Sequence, residues 1–94
     1  MTKNRSRQEI IRDILSLLEV SPLSKTKVMY RASLSYTQLK SYGSYLMDNY
    51  LIRLENEQWV LTDKGKGYLD ICKLGDKILS NGLENEVVAV ADPR

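Results

Sequence analysis

The chain contains no histidine and a single cysteine, Cys72. Without histidine and with only one thiol, one chain cannot build a disulfide, a structural zinc cluster or a catalytic site that uses an imidazole base. We therefore expect neither a metal nor another cofactor. Cys72 stands at an apolar helical spacing, which is typical of a small core residue rather than of a redox-active thiol.

Long apolar runs are also missing. No segment approaches the ~20 consecutive apolar residues of a membrane-spanning helix. The basic N-terminus, MTKNRSRQEI, leads into an amphipathic segment with charged residues, unlike a signal peptide. With 94 residues, of which 43% are hydrophobic and 28% are charged, the chain resembles one globular domain. We expect a cytoplasmic protein with no membrane partner.

Acidic residues are absent from positions 20 to 47, a window that nevertheless holds four cations: Lys25, Lys27, Arg31 and Lys40. The net charge of the whole chain is only +2, but it is unevenly distributed. Residues 1–53 carry nine Lys or Arg against four Asp or Glu, whereas residues 54–94 carry five against eight. This asymmetry is typical of a protein in which one face meets a polyanion and the other does not.

Residues 6–20 have the pattern of an amphipathic helix that faces a core. Ser6 and Glu9 have the spacing of a capping box, in which each side chain satisfies the backbone amide of the other residue. Apolar residues then recur every three to four positions: Ile10, Ile11, Ile14, Leu15, Leu17 and Leu18. Pro22 predicts the end of this helix, because proline lacks an amide donor and restricts the residue before it.

A second helix is predicted from about Ser24 to Ala32, with its first residue as the N-cap. The segment Ser-Leu-Ser at 33–35 forms the following turn, in which Leu34 is the expected buried anchor. Ser35 then caps a third helix that runs to about position 49. Two helices joined by such a tight turn predict a helix-turn-helix unit.

The third helix has two distinct faces at about 100° per residue. One face is apolar and is predicted to be buried: Leu39, Tyr42, Gly43, Leu46 and Tyr50. The opposite face is polar: Thr37, Ser41, Ser44 and Asp48. A glycine inside a helix costs ~1 kcal/mol relative to alanine. The place of Gly43 on the apolar face therefore indicates a close approach between helices.

Residues 51–61 predict a β-hairpin with a short polar loop at 55–58. Thr62 is expected to cap a fourth helix, which the Asn81-Gly82 pair ends. The apolar positions of this helix are Tyr68, Leu69, Ile71, Cys72, Leu74, Ile78 and Leu79.

The predicted order, α-α-α-β-β-α, is that of a winged helix-turn-helix with an added C-terminal helix, a mainly α fold of the α+β class. We expect residues 1–62 to form the winged helix-turn-helix and residues 63–82 the added helix. The sequence does not decide the structure of the tail, residues 83–94.

Two motifs carry a resemblance to a known family. They are Met-Tyr-x-Ala-x-Leu-Ser-Tyr at residues 29–36 and Leu-Thr-x-x-Gly at residues 61–65. Together with the segments KTKVMYRASLSYTQLKSY, YLI and WVLTDKGKGYL, the chain resembles the archaeal winged-helix family of small ten-kilodalton DNA-binding proteins. The matching segments run from Lys25 to Leu69, about half of the chain.

The resemblance implies a winged-helix fold, DNA binding, and homodimerisation through the C-terminal helix as an antiparallel coiled coil. By position, Ser35, Tyr36 and Leu39 begin the recognition helix, and Thr62 and Gly65 begin the dimerisation helix. The resemblance places the dimer interface on the apolar positions of that helix: Tyr68, Ile71, Cys72, Leu74, Ile78 and Leu79.

Two features depart from the family pattern. A glycine commonly precedes the Leu-Ile strand in such proteins, whereas this chain has Tyr50, so Asn49 is expected to take the left-handed conformation instead. Gly75 interrupts the fourth helix, whose apolar pattern is shorter than the ~3–4 heptads of a clear coiled coil. The geometry of a dimer therefore stays open.

The cations of the first three helices and the wing suit contact with duplex DNA. Phosphates would be bound by Arg5, Arg7, Lys25, Lys27, Tyr30, Arg31, Lys40 and Arg53. Base edges or the groove would be met by Ser35, Tyr36, Thr37, Gln38, Lys40, Ser41 and Ser44. The alternative is that these side chains only solvate an exposed face. The acid-free window coincides with the helix-turn-helix, which favours DNA.

The short hydroxyl side chains on the outer face of the third helix make few strong base contacts. This composition favours weakly specific or shape-based binding, so a repressor and an architectural role both stay open. Glu55 and Glu57 at the tip of the hairpin would repel phosphates, and we expect the wing to stay clear of DNA. Six aromatic residues could stack on single-stranded bases: Tyr36, Tyr42, Tyr45, Tyr50, Trp59 and Tyr68. Most of them fall at the spacing of core or interface residues, which favours that interpretation.

We expect a homodimeric, nucleoid-associated regulator or chromatin factor that binds double-stranded DNA. The alternative is a winged-helix interaction module whose acidic wing and fourth helix bind a protein within a larger assembly. Enzymatic activity is not expected, because the glycines of DKGKGYL are not followed by the Gly-Lys-Ser/Thr of a phosphate loop. No site for a small-molecule ligand is evident.

Overall fold

The computed structural model describes the backbone of residues 5–85 and the side chains of residues 5–75. Within this part, the helices and strands follow the order α1 (Arg7–Val20), β1 (Leu23–Ser24), α2 (Lys25–Arg31), α3 (Tyr36–Asp48), β2 (Ile52–Glu55), β3 (Gln58–Leu61) and α4 (Asp63–Asn85). The predicted winged helix-turn-helix architecture is confirmed, with α4 as the added helix. Most of the predicted tail lies outside the described residues.

The predicted helix starts are confirmed by their caps. At α1, the Glu9 amide donates to Ser6 Oγ at 3.1 Å, and the Ser6 amide donates to the Glu9 carboxylate at 2.8 Å. The hydroxyls of Ser24 and Thr62 each accept from the amide three residues later, at 3.3 and 2.9 Å. These bonds satisfy amides that have no partner within the helix.

The sheet has three antiparallel strands in the order β1-β3-β2. The wing hairpin is tighter than predicted, because Glu55 pairs with Gln58 across a two-residue turn. Both turn residues, Asn56 and Glu57, have positive φ. Type I′ turns have this geometry, and their backbone twist matches the twist of the two strands they join. The short strand β1 is not among the predicted elements. It forms because Leu23 pairs with Trp59 of β3.

The core lies where α1 meets the other elements. Its largest fully buried side chains come from four helices and one strand: Ile11, Ile14 and Leu15 of α1, Val28 of α2, Leu46 of α3, Leu69 of α4 and Ile52 of β2. Since Leu69 is 0% exposed within this cluster, the first turns of α4 belong to the same core as the helix-turn-helix. The predicted turn anchor, Leu34, is buried as expected.

Gly43 lies against the wing rather than against another helix. A Cβ atom at this position would stand 2.9 Å from Cζ2 and 3.0 Å from Cη2 of Trp59. The close approach predicted at Gly43 therefore occurs, but its partner is the indole of a strand residue, and the predicted helix–helix contact is wrong. Trp59 is 4% exposed beneath α3.

Tyr50 overturns two expectations. Its φ is 60°, whereas Asn49 has φ of −95°, so Tyr50 itself takes the left-handed conformation. The Tyr50 amide donates to the Met47 carbonyl and the Leu51 amide to the Leu46 carbonyl, a helix ending that requires positive φ at this position. Tyr50 is also 72% exposed rather than buried, because the backbone reversal turns its side chain out of the helical face.

The end of α4 also differs from the expectation. The helix continues through the Asn81-Gly82 pair to Asn85. A glycine inside a helix costs only about 1 kcal/mol, so the pair does not by itself force a helix to stop. The 23 residues of α4 span roughly 35 Å.

An ion-pair network ties α1 to α4. Glu19 accepts from Lys73 Nζ at 2.7 Å and lies 3.3 Å from Lys66 Nζ, which also contacts Asp70 at 3.2 Å. The hydrogen bonds from Lys73 and then Lys66 hold the pKa of Glu19 below its usual range. Hydrogen bonds to Asp70 and Glu19 raise the pKa of Lys66.

Glu19→Gln should remove a pH-dependent part of the stability. Because the folded-state pKa of Glu19 is lowered, its stabilisation is present above the ordinary pKa of a glutamate and is lost as pH falls through the lowered value. Urea unfolding at several pH values should show the variant less stable near neutrality and equal to the parent in acid. Glu57→Gln, on the exposed wing, is the control. A stability gap that stays constant with pH would contradict this role.

Candidate nucleic-acid interface

The four cations of the acid-free window are all exposed, and none has a carboxylate partner within the described part of the chain: Lys25, Lys27, Arg31 and Lys40. They lie on α2 and on the N-terminal half of α3. By contrast, Lys66 and Lys73 of α4 are engaged by Glu19 and Asp70. Positive charge that is free to meet an anion is therefore concentrated on the helix-turn-helix.

On α2, the cations lie on two sides of a short helix. Lys27 and Arg31 are four residues apart and so share one face. Tyr30 is 75% exposed beside Arg31, which leaves its hydroxyl accessible as predicted for a phosphate contact. Lys25 instead lines a groove toward the wing.

The start of α3 is held by a second capping box. The Gln38 amide donates to Ser35 Oγ at 3.1 Å, and the Ser35 amide donates to Gln38 Oε1 at 3.0 Å. Bidentate pairing with adenine would use this same Oε1 as an acceptor. Because the oxygen already serves the cap, we assign Gln38 to positioning α3 rather than to base readout.

The outer face of α3 is exposed along its length, including Thr37, Ser41 and Ser44. Lys40 Nζ lies 5.6 Å from the centre of the Tyr36 ring, within the range of a cation–π contact. Tyr36 is 58% exposed. Its ring therefore lies at the surface beside a cation, as the expected groove contact of Tyr36 requires.

Arg5 is used inside the molecule. Its guanidinium lies 2.8 Å from Asp13 and donates to the carbonyls of Ala32 and Ser33 at 2.6 and 3.1 Å. These two carbonyls lie at the C-terminus of α2 and in the turn, so Arg5 caps α2 and fastens α1 to the helix-turn-helix. We remove Arg5 from the set of proposed phosphate contacts for this reason.

Arg7 reaches the C-terminal half of α3. Its Cζ lies 4.5 Å from the ring centre of Tyr45 and 5.8 Å from that of Tyr42. The ring contact leaves the edge of the exposed guanidinium accessible, since stacking uses its flat face. Arg7 therefore stays a candidate for a phosphate contact, separate from the cluster at the start of α3.

The wing offers little positive charge. Arg53 Nε donates to Glu55 at 2.6 Å, and both side chains are about half exposed. Glu57 continues the acidic tip. Because Glu55 neutralises Arg53, strand β2 offers no free cation, which agrees with the expectation that the wing does not contact phosphates.

An open groove separates α3 from the wing. It has a volume of about 550 Å³ and brings together predicted site residues from two helices: Lys25 of α2 with Tyr36, Lys40 and Ser44 of α3. Leu54, on the wing side of the groove, is 59% exposed. The alternation of residues along β2 did not predict the exposure of Leu54. Ile52 and Leu54 are two positions apart and so lie on the same face of the strand, but only Ile52 is buried.

The predicted dimer positions on α4 fall into two groups. Tyr68 packs against the core and donates its hydroxyl to Gln8 at 2.9 Å, and Cys72 is partly buried. Ile71 and Leu74 are 70% and 57% exposed. The side chains of Ile78 and Leu79 lie outside the described residues.

Two further classes of site find no support in the described residues. Side chains of His, Cys, Asp or Glu do not gather there in groups of three or more that would suit a metal ion. Among the described helices, none combines the length and the apolar character that crossing a membrane requires.

A family model described as winged helix-turn-helix matches residues 4–80. Two curated relatives come from the archaeon Methanocaldococcus jannaschii. The uncharacterized protein MJ0290 is 38% identical over 66 residues, which cover 70% of this chain and 31% of that protein. The uncharacterized protein MJ0287 is 34% identical over 62 residues, covering 66% and 64%. The chain thus spans less than two thirds of the length of either relative.

Two solved structures share the fold. Lactococcus lactis ZitR superposes with a TM-score of 0.65 at 20% identity, covering 93% of this chain and 65% of that one. Sso10a-2, a DNA-binding protein from Sulfolobus solfataricus, superposes with a TM-score of 0.61 at 25% identity. The superposition covers 93% of this chain and 100% of the Sso10a-2 chain.

Proposed function

The chain belongs to the winged helix-turn-helix family, and from this premise we propose that it is a DNA-binding regulator or chromatin-associated factor that docks α2 and α3 on duplex DNA. The observation that carries the proposal is the group of exposed, unpaired cations on these two helices: Lys25, Lys27, Arg31 and Lys40. Duplex DNA offers a dense row of phosphates to such a surface. The similarity to the DNA-binding protein Sso10a-2 supports it.

The surface chemistry favours docking over base readout. The outer face of α3 carries the short side chains of Thr37, Ser41 and Ser44, and Gln38 is engaged in its cap. Lys40 is the one cation that α3 presents among its described side chains. We propose that affinity comes mainly from phosphates, and that any preference reflects the shape of the duplex.

A mobility-shift titration against salt tests the proposal directly. Each neutralised phosphate contributes about −0.9 to the slope of log affinity against log salt. The four cations of one chain therefore predict a slope of about −3 to −4, similar for duplexes of unrelated sequence. Absence of binding at low salt, with recovery of a stoichiometric protein partner instead, would favour the interaction-module hypothesis.

We also propose that two chains associate through α4. Ile71 and Leu74 are exposed apolar residues three positions apart, so they lie on one side of the helix. Exposed apolar side chains that line up on a helix face are typical of an interface. Two docking surfaces in one dimer would then bind the same duplex, as expected for a nucleoid-associated protein.

Replacing Ile71 and Leu74 by glutamine together should convert the dimer to monomers. Glutamine keeps helix propensity close to that of the parent residues but removes the apolar contact. Sedimentation equilibrium at tens of micromolar should give twice the chain mass for the parent and one chain mass for the variant. Val20→Gln is a matched control, because Val20 is 86% exposed on another helix. A monomeric parent would refute the interface.

A further inference from the structure

The groove between α3 and the wing has an apolar wall and floor. Leu39 and Met47 of α3 face Leu54 and Trp59 of the wing across it. Leu54 and Trp59 pair directly between β2 and β3, so their side chains share one face of the hairpin. Trp59 is already covered, whereas Leu54 is left 59% exposed.

The groove is also the right size for a small molecule. Its volume of about 550 Å³ falls within the ~300–1,000 Å³ of typical small-molecule sites. Such sites combine a mostly apolar lining with a few polar groups that orient the ligand. Thr26 and Ser44 supply hydroxyls at the rim here.

The charges around the groove select the ligand class. Lys25 and Lys40 line it from α2 and α3, and the one carboxylate among its lining residues is Glu57. Neither lysine has a carboxylate partner within residues 5–75. An uncompensated ammonium beside an apolar wall is complementary to a molecule that carries both an apolar body and an anionic group.

We propose that this groove binds small amphipathic organic anions, with an aromatic or aliphatic body against Leu54 and the Trp59 side of the wing and the anionic group between Lys25 and Lys40. The sugar–phosphate backbone of DNA does not match this site equally well, because it has no comparable apolar body to cover Leu54.

Occupancy of the groove should also oppose DNA binding, a consequence that rests on the proposed function. Lys25 and Lys40 belong to both surfaces, so an anion that neutralises them withdraws two phosphate contacts. The chain would then respond to such molecules by releasing DNA.

The test uses the full chain and two probes of similar ring structure. One is 1-anilinonaphthalene-8-sulfonate, which is an anion, and the other is N-phenyl-1-naphthylamine, which is uncharged. Trp59 is the only tryptophan and lines the groove, so its emission reports binding there through energy transfer to the probe. We expect one sulfonate bound per chain, and roughly three- to tenfold weaker binding of the uncharged probe.

Variants separate the groove from general apolar adhesion. Lys25→Ala and Lys40→Ala should each weaken the sulfonate about two- to fivefold and leave the uncharged probe unchanged. Leu54→Ser should weaken both probes. Lys27→Ala is the matched control, since Lys27 has the same charge on the same helix but does not line the groove, and it should change neither. Circular dichroism confirms that every variant is folded.

Equal affinity for the two probes, several bound probes per chain without quenching of Trp59, or indifference to both lysine substitutions would each overturn the proposal. These measurements contain no DNA, so their outcome does not depend on the proposed function. In a second arm, the sulfonate but not the uncharged probe should raise the apparent Kd for duplex DNA. Bound sulfonate with an unchanged Kd would refute the link between the groove and DNA release.

Discussion

Replacing Gly65 by alanine should destabilise the protein by about 3 kcal/mol, because overpacking costs roughly 1–3 kcal/mol and a clash with backbone that cannot move lies at the upper end of that range. A Cβ atom at Gly65 would stand 2.1 Å from the Leu51 carbonyl oxygen and 2.7 Å from Cδ1 of Leu61. The Leu51 carbonyl cannot easily move away, because it accepts from the Thr62 amide at 3.1 Å.

Gly67→Ala, two residues further along the same helix, is the matched control. No atom outside the helix's own backbone lies within 4 Å of a Cβ built there. This substitution should therefore stabilise the protein by up to about 1 kcal/mol through helix propensity alone. Urea unfolding of the two variants measures the contrast. Equal effects of the two substitutions would show that α4 does not begin against Leu51 as described.

Removing Lys25 and Lys40 together should weaken binding to duplex DNA by about tenfold or more at low salt, because the phosphate contacts supply most of sequence-independent affinity. The salt slope should become shallower by about 2. Extending the change to Lys27 and Arg31 should bring the loss to about a hundredfold. The loss should be alike for unrelated duplexes, since phosphates carry no sequence information.

The control for charge is the double replacement of Lys66 and Lys73 by alanine. It removes the same net charge from α4, where both lysines pair with Glu19, away from the proposed docking surface. Urea unfolding of this variant shows whether it stays folded under the binding conditions. Affinity for DNA should fall less in this variant than on removal of Lys25 and Lys40, because only the overall charge of the chain has changed. If the two double variants lose affinity equally, binding depends on net charge and the proposed docking surface is wrong.

The fold was predictable from the sequence where its signals are local. The capping boxes at Ser6 and Ser35 join residues three positions apart, and the apolar stripe of α1 repeats at the helical period. These signals depend on neighbouring residues alone, so they mark helix starts and buried faces without knowledge of the tertiary structure.

The candidate site was predictable only in part. The absence of acidic residues from positions 20–47 predicted that the free cations lie on the helix-turn-helix. In the structure these cations are exposed and have no carboxylate partner among the described residues, which agrees with that prediction. Arg5 looked equally available, yet its partners are carbonyls 27 and 28 residues away. Tyr50 has the helical spacing of a core residue, yet it is 72% exposed.

The sequence alone determined the order of the four helices and the wing hairpin, the N-terminal caps of the helices, the charge asymmetry and the winged-helix family, because each follows from local spacing or composition. Only the tertiary structure decided the third strand, the contact of Gly43 with Trp59, the internal use of Arg5 and the groove beside α3. Each of these depends on which residues meet across long separations in the chain. Such meetings are set by the packing of whole elements, which no local pattern encodes.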